Sequence, residues 1–176
     1  MRPRTNSTTR SGELRNDKPR NSTYLSEAAY PTNHPEIAAT LTNIGISQRL
    51  LGDYEASLDT LNRALTIEEA AYRTNHPEIA VTLANIGTSQ QRLGDYEASL
   101  DTLNRALTIN EAAHRTNHPN IAITLTNIAL TLEGLGRIDE AIAAVERSVT
   151  IFEHALGPNH PTTRQALEHR ERLTTS

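Results

Sequence analysis

The sequence contains no cysteine and very few aromatic residues. Its 176 residues include no Trp and one Phe, and aromatic residues make up 3% of the chain. Without cysteine, disulfides, thiolate metal sites and a thiol nucleophile are excluded. A single close-packed core generally uses more aromatic bulk, so we expect an array of small helices. No apolar run approaches the ~18 residues that cross a bilayer, and we expect a cytoplasmic protein.

Positive charge is scarce outside the N-terminal segment. The net charge is −4. Residues 1–21 carry six basic and two acidic residues, a balance of +4, so the remainder carries −8. An acidic body argues against nucleic acid as the main partner, because phosphate neutralisation needs a basic face. We predict that residues 1–21 form a disordered basic tail; Pro3 and Pro19 disfavour the alternative, an organelle transit sequence.

The dipeptide His-Pro begins at residues 34, 76, 118 and 160, so its interval is 42 residues. A fixed period of this length is typical of a repeat array. It predicts a partial repeat over 22–33, full repeats over 34–75, 76–117 and 118–159, and a capping helix over 160–173. The array as a whole would span residues 22–173.

Each unit is predicted to form two helices. Pro35 suits a first helical position because its missing N–H has no partner there, and His34 or Asn33 would cap that helix. Gly52 supplies the turn, and Asp53 caps the second helix. The predicted buried faces consist of Ile37, Leu41, Ile44 and Gly45 on the first helix, and Leu58, Leu61, Ala64 and Leu65 on the second. No segment alternates as a strand does, so the predicted fold class is all-α.

The order of residues within a unit resembles the tetratricopeptide repeat. In the first unit the resemblance is carried by Leu41, Ile44, Gly45, Gly52, Asp53, Tyr54, Ser57, Leu61 and Ala64. The period of 42 residues with its leading His-Pro is similar to the longer form found in kinesin light chains. The resemblance covers about residues 25–173. It implies a right-handed superhelical solenoid of antiparallel helical hairpins that acts as a non-enzymatic scaffold for protein–protein interaction.

Some positions depart from the family pattern. Ser57 and Ser99 stand where the family has Ala, and Ala129 and Arg137 stand for Gly and for the capping Asp. None of these departures threatens the predicted fold. We expect each to loosen the packing locally.

The first two full units differ at seven of 42 positions, whereas the segment LGDYEASLDTLNRALTI is identical in both. The differing pairs are Ala39/Val81, Thr42/Ala84, Ile46/Thr88, Arg49/Gln91, Leu50/Arg92, Glu68/Asn110 and Tyr72/His114. The first five pairs trace one face of the first helix, separate from its buried face. In the tetratricopeptide family the first helices line a concave wall. We therefore interpret this face as ligand-binding; neutral drift of an exposed face is the alternative, although the outer surface of the second helix has not changed.

The predicted peptide-binding, concave face combines this stripe with its counterparts in the third unit. It comprises Ala39, Thr42, Asn43, Ile46, Arg49, Leu50, Val81, Ala84, Asn85, Thr88, Gln91, Arg92, Ile123, Thr126, Asn127, Leu130 and Glu133. Apolar groove contacts would supply affinity. Arg49, Arg92 and Glu133, toward the ends of the first helices, would supply selectivity.

Asn43, Asn85 and Asn127 recur at the same position of each unit. An Asn amide offers two donors and an acceptor, so a ladder of three could pair with the backbone of an extended peptide. Kinesin-light-chain-like repeats use such residues, which favours this interpretation. The alternative is that each Asn ties its own helix to the next repeat, and the sequence leaves both open.

Catalytic and metal chemistry have no support in the sequence. Successive His-Pro histidines lie about one helix diameter, ~10 Å, apart, whereas ligands of one ion sit ~2 Å from it. We therefore expect these histidines to cap and pack. Phosphate loops, nucleophile elbows and metalloprotease motifs are absent, so we predict no enzyme activity and no cofactor.

The expected partner is a protein or peptide, not nucleic acid or a membrane. The alternative function is a fragment or self-associating segment of a larger repeat-bearing signalling or adaptor protein. Homo-oligomers would then form through an apolar half-repeat near Leu25 and Ala28, because arrays that lack a polar cap stack end to end.

Overall fold

The computed structural model describes residues 34–72, 74–114 and 116–175, which form seven α-helices and no strand. The helices are α1 (Pro35–Leu50), α2 (Tyr54–Ala71), α3 (Pro77–Leu93), α4 (Tyr96–Ala113), α5 (Pro119–Gly134), α6 (Ile138–Leu156) and α7 (Pro161–Thr175). Three hairpins, α1–α2, α3–α4 and α5–α6, stack in order, and α7 packs on α6. The predicted tail, the partial repeat and its apolar face lie outside the described residues.

The first helices of successive units, α1, α3, α5 and α7, begin alike. The Nδ1 atoms of His34 and His76 each accept a hydrogen bond at 3.3 Å from the backbone N–H two residues ahead. His118 and His160 do the same at 3.2 Å. Of the two predicted caps of α1, His34 is therefore the one used. Tyr72 also stacks on His76 at 3.8 Å between ring centroids, which confirms that the His-Pro histidines cap and pack.

Glycine provides the turn inside each hairpin. Gly52, Gly94 and Gly136 have φ values of 87°, 87° and 71°, a left-handed conformation that costs glycine little. Asp53 then caps α2 by accepting from the Ala56 N–H at 3.3 Å. The predicted turn and cap are confirmed. At the departure noted in the third unit, Arg137 provides no side-chain cap.

Each hairpin closes where a small residue of its first helix meets a large residue of its second. A Cβ added to Gly45 would lie 2.6 Å from Leu61 Cγ, and one added to Gly87 would lie 2.6 Å from Leu103 Cγ. In the third hairpin the same core position holds Ala129, which packs in one cluster with Val145. The third hairpin thus accommodates a larger first residue with a smaller second one.

Hydroxyl groups link neighbouring hairpins in the core. Ser57 Oγ lies 2.9 Å from Ser89 Oγ, and Ser99 Oγ lies 3.0 Å from Thr131 Oγ1; all four residues are fully buried. The expectation that Ser57 and Ser99 loosen the packing is therefore wrong, because each serine bonds to the next hairpin. A buried hydroxyl with a partner avoids the cost of desolvating an unpaired polar group.

The two sides of the stack pack differently. The backbones of α1 and α3, and of α3 and α5, approach each other directly. Across the second helices, long side chains make the connection through the ion pairs Arg105–Glu69 and Arg147–Glu111. The first helices therefore form the more tightly packed side, on which the predicted face lies.

One residue of the predicted buried face is exposed. Ile44 is 45% exposed, whereas its counterparts Ile86 and Ile128 are buried. Ile128 belongs to a core cluster that includes Leu103 of the hairpin before it, and the partly buried Leu100 of α4 packs against that cluster. The segment that precedes α1 lies outside the described residues. The burial of Ile86 and Ile128 therefore does not carry over to Ile44.

We predict that Gly87→Ala and Leu103→Val compensate each other, because the third hairpin natively has an alanine and a valine at the equivalent positions, Ala129 and Val145. Overpacking against Leu103 costs ~1–3 kcal/mol and the gain in helix propensity offsets about 1 kcal/mol, so Gly87→Ala alone should lose about 1 kcal/mol. Urea unfolding of both single variants and the double variant measures the coupling. A double variant that loses the sum of both single effects contradicts the contact.

Candidate functional site

Two cavities lie on the side of the first helices. The α3–α5 cavity has a volume of about 380 Å³ and is lined by Arg49, Ala80, Val81, Ala84, Asn85, Thr88, Asn110, Asn120, Ile123, Thr124 and Asn127. The α5–α7 cavity has a volume of about 610 Å³ and is lined by Ile123, Thr126, Asn127, Leu130, Phe152, Thr162, Gln165, Ala166, Glu168, His169 and Arg172. They share Ile123 and Asn127, and together we call them the first-helix groove.

Nine of the seventeen predicted site residues line this groove. They are Arg49, Val81, Ala84, Asn85, Thr88, Ile123, Thr126, Asn127 and Leu130. Gln91 and Arg92 line a smaller hollow of about 220 Å³ with Leu130 and Tyr96. The geometry thus brings the predicted residues of the second and third units together.

The predicted residues of the first unit are more dispersed. Asn43 and Leu50 are exposed, Ile46 is half-buried, and Ala39 lines a different pocket near the start of α1. Thr42 was wrongly predicted to face a ligand. It is buried, and its Oγ1 lies 3.2 Å from Thr82 Oγ1 in the next hairpin, because this turn of α1 faces α3.

The asparagines at the ladder positions do not behave alike. Asn85 Nδ2 donates to the Val81 carbonyl of its own helix at 2.9 Å, and Asn127 Nδ2 donates to Thr88 Oγ1 of the preceding unit at 3.5 Å. Asn43 is exposed. A link between repeats is therefore observed at Asn127, whereas pairing of the ladder with a peptide stays a prediction.

Two arginines place positive charge beside the groove. Arg49 is half-buried, and its buried Nε atom has no hydrogen-bond partner within the part of the chain that the structure describes. Burial, together with the positive charge of nearby Arg92, lowers the pKa of the Arg49 guanidinium. Both residues lie in the last turns of α1 and α3. An anionic group bound here would relieve the repulsion and fill the unused donor.

Glu133, predicted to select ligands, is already paired. Its carboxylate accepts hydrogen bonds from both terminal nitrogens of Arg172 and lies 3.1 Å from His169 Nε2. The bonds from Arg172, the largest influence, lower the pKa of the Glu133 carboxyl. Glu133 therefore holds α7 against α5 and fixes one wall of the larger cavity.

Helix α7 contributes to the site, which the sequence did not predict. Gln165, Ala166 and His169 line the α5–α7 cavity, whereas the prediction for residues 160–173 is a capping helix. The signal was present in the sequence, because His160-Pro161 opens this helix in the same way as the three earlier first helices.

Among the helices of the described residues, none is long and apolar enough to cross a membrane. Within residues 34–72, 74–114 and 116–175, no group of three or more His, Asp or Glu side chains could hold a metal ion.

Stacked two-helix units of 42 residues define a helical-repeat protein, and the sequence identifies the class. A tetratricopeptide repeat family model matches residues 36–112, 78–154 and 120–173, so the chain belongs to the tetratricopeptide repeat family. No curated protein matches the chain.

Solved structures share this fold at low sequence identity. A protein from Podosopora anserina, described as kinesin light chain with nearly identical TPR-like repeats, has a TM-score of 0.70 at 18% identity over 86% of this chain and 72% of that chain. BtubC (BKLC) from P. vanneervenii has a TM-score of 0.77 at 13% identity, over 88% and 62%. The first TPR of Spaghetti (RPAP3), bound to HSP90 peptide SRMEEVD, has a TM-score of 0.59 at 16%, over 81% and 97%.

We predict that Glu133→Gln weakens the docking of α7 by about 1 kcal/mol near neutral pH, because the bonds to Arg172 and His169 lose their charged acceptor. Since the folded pKa of Glu133 is depressed, its contribution is present above the unfolded carboxyl pKa, ~4.3, and is lost as the pH falls through the lower folded value. Hydrogen exchange of α7 amides measures the effect. A gap between wild type and variant that persists in strong acid contradicts this role.

Proposed function

We propose that the protein is a non-enzymatic interaction scaffold that holds a peptide segment of a partner protein in the first-helix groove. The observation that carries the proposal is the location of the differences between two nearly identical repeats. Five of the seven pairs have at least one member that lines the groove: Ala39/Val81, Thr42/Ala84, Ile46/Thr88, Arg49/Gln91 and Glu68/Asn110. The identical segment lies on the second helices. Packing thus constrains one helix, while the other is free to change its ligand contacts.

The groove has the composition that peptide binding needs. Val81, Ile123 and Leu130 offer apolar contact, and Val81 and Ile123 are 38% and 47% exposed. Asn85 and Asn127 add amide groups beside them. Exposed apolar side chains in a concave setting typically mark a binding site. The tetratricopeptide neighbour that holds an HSP90 peptide supports the same mode of use for this fold.

The charge of the groove favours a segment with an acidic residue. Arg49 and Arg92 lie close enough for their charges to interact, and no described residue accepts a hydrogen bond from the buried Nε of Arg49. A carboxylate of the partner would offset the repulsion between the two arginines and accept a hydrogen bond from Arg49. Selectivity would come from these two arginines, while Glu133 supports the wall through α7.

We predict that Asn85→Ala combined with Arg92→Ala abolishes peptide capture with little loss of helicity, because both side chains lie outside the buried core. Peptides selected from a random displayed library against the wild-type chain serve as ligands. Their affinity for the variant is measured by fluorescence anisotropy, and circular dichroism reports the helix content.

The matched control is Asn62→Ala combined with Arg63→Ala, which removes the same two residue types from the exposed surface of α2. This variant should bind the selected peptides as the wild type does. Selected peptides that bind the Asn85 and Arg92 variant equally well, or that are lost with the α2 control, rule out the groove.

A further inference from the structure

A separate pocket of about 360 Å³ lies where the first turns of α1 and α3 meet the end of α2. Three carboxylic acids line it, Glu36, Glu68 and Glu78, beside the stacked rings of Tyr72 and His76. No lysine or arginine is among the described residues that line it. Three acidic side chains therefore border this pocket without a basic side chain among the described lining residues.

Glu68 is the buried member of this group. It is 3% exposed, and its Oε1 atom accepts a hydrogen bond from Thr82 Oγ1 at 2.9 Å. Thr82 has one hydroxyl proton, so the Thr42 hydroxyl at 3.2 Å donates to Thr82 in turn. The second oxygen, Oε2, is buried and has no hydrogen-bond partner among the described residues. Such a group is costly to bury, because a carboxylate loses its hydration without compensation.

The surroundings add to this cost. Glu68 lies in the last turn of α2, which carries no basic residue and presents the negative end of the helix dipole. Burial raises the pKa of Glu68 to about 7; the bond from Thr82 opposes this shift, and Glu78 and Glu69 add to it. The first turns of α1 and α3 carry Glu36 and Glu78, which offset the positive poles of those helices. A cation in the pocket would stabilise the ionised Glu68 side chain against its burial, the negative end of the α2 dipole and the neighbouring carboxylates.

The neighbouring repeat shows that the fold does not require this charge. At the equivalent positions 42 residues later, Asn110 replaces Glu68, His114 replaces Tyr72 and Asn120 replaces Glu78. Asn110 Nδ2 still bonds to Thr124 Oγ1 at 3.1 Å, so an amide serves the packing role of the carboxyl. The two differences between the first units that lie outside the first helix, at residues 68 and 72, therefore both line this pocket.

We infer that this pocket receives the ammonium group of a lysine side chain from the bound partner segment. Because Thr82 occupies Oε1, Glu68 offers a single free oxygen, which suits a compact ammonium better than the two-pronged guanidinium of arginine. Glu36 and Glu78, which line the pocket and are exposed, supply further acceptors. The Tyr72 ring offers a surface for the aliphatic stem and for a cation–π contact. The inference deepens the proposed function and rests on it only for the source of the lysine.

The test uses the full chain and two capped amino acids as probes. Lysine with an acetylated amino terminus and a methylamide carboxyl terminus is titrated into the protein while amide chemical shifts are followed by NMR. Norleucine with the same caps has a similar stem without the ammonium and serves as the control. The variant is Glu68→Asn, which the second repeat shows to be compatible with the fold.

At about pH 8 we expect saturable shifts at Glu68, Tyr72 and Glu78 with the lysine probe and none with norleucine. Glu68→Asn should weaken binding by at least about tenfold, the loss expected for a charged hydrogen bond. Wild-type binding should fall about tenfold at about pH 6, where most of a carboxyl with a pKa of about 7 is protonated. Glu68→Asn retains the lining histidine, His76, so only the pH dependence that this variant loses is assigned to Glu68.

The absence of saturable shifts, equal shifts with norleucine, or unchanged binding by Glu68→Asn would overturn the inference. A capped amino acid does not need the first-helix groove, so this result and that of the Asn85 and Arg92 variant can fail independently. A variant that creates a second site provides a positive test. The substitutions Val81→Ala, Asn110→Glu, His114→Tyr and Asn120→Glu together give the interface between the second and third hairpins the lining of the pocket between the first and second. It should acquire a second set of lysine-dependent shifts around Thr124.

Discussion

The close approach of a small residue on the first helix to a large residue on the second determines the rest of the architecture. Gly45 with Leu61, Gly87 with Leu103 and Ala129 with Val145 each close one hairpin. This contact fixes how the two helices face each other, and therefore which side of the first helix remains available. Because well-packed cores tolerate neither extra volume nor voids, residues 54–67 and 96–109 of the first two second helices stay identical while one face of the first helix varies.

The interfaces between hairpins differ in polarity at equivalent positions. Ser57 with Ser89 and Ser99 with Thr131 are hydrogen-bonded pairs, whereas Ala141 and Leu173 are apolar at the corresponding places. The position of Glu68 holds a carboxyl, then an amide at Asn110, then the phenyl ring of Phe152. Each replacement suits its own neighbour, so the same backbone contact presents charge in one unit and apolar surface in another.

The charges also divide along the first helices. Glu36 and Glu78 lie in the first turns of α1 and α3, and Arg49 and Arg92 lie in their last turns. Each sign opposes the pole of the helix dipole at its own end, so the arrangement stabilises the helices whether or not a ligand is present. A bound segment would meet an acidic pocket at one end of these helices and two arginines at the other.

The repeat period, the helix boundaries, the histidine caps and the glycine turns follow from the sequence, because each depends on residues that are neighbours along the chain. Tertiary structure decided the rest. Thr42 was predicted to face a ligand but bonds to Thr82; Glu133 was predicted to select ligands but holds Arg172; and Glu68 gave no sign of burial without a second partner. These roles depend on side chains about 14 to 40 residues away that stacking brings into contact. Periodicity along one helix cannot reveal which residues a neighbouring helix will cover.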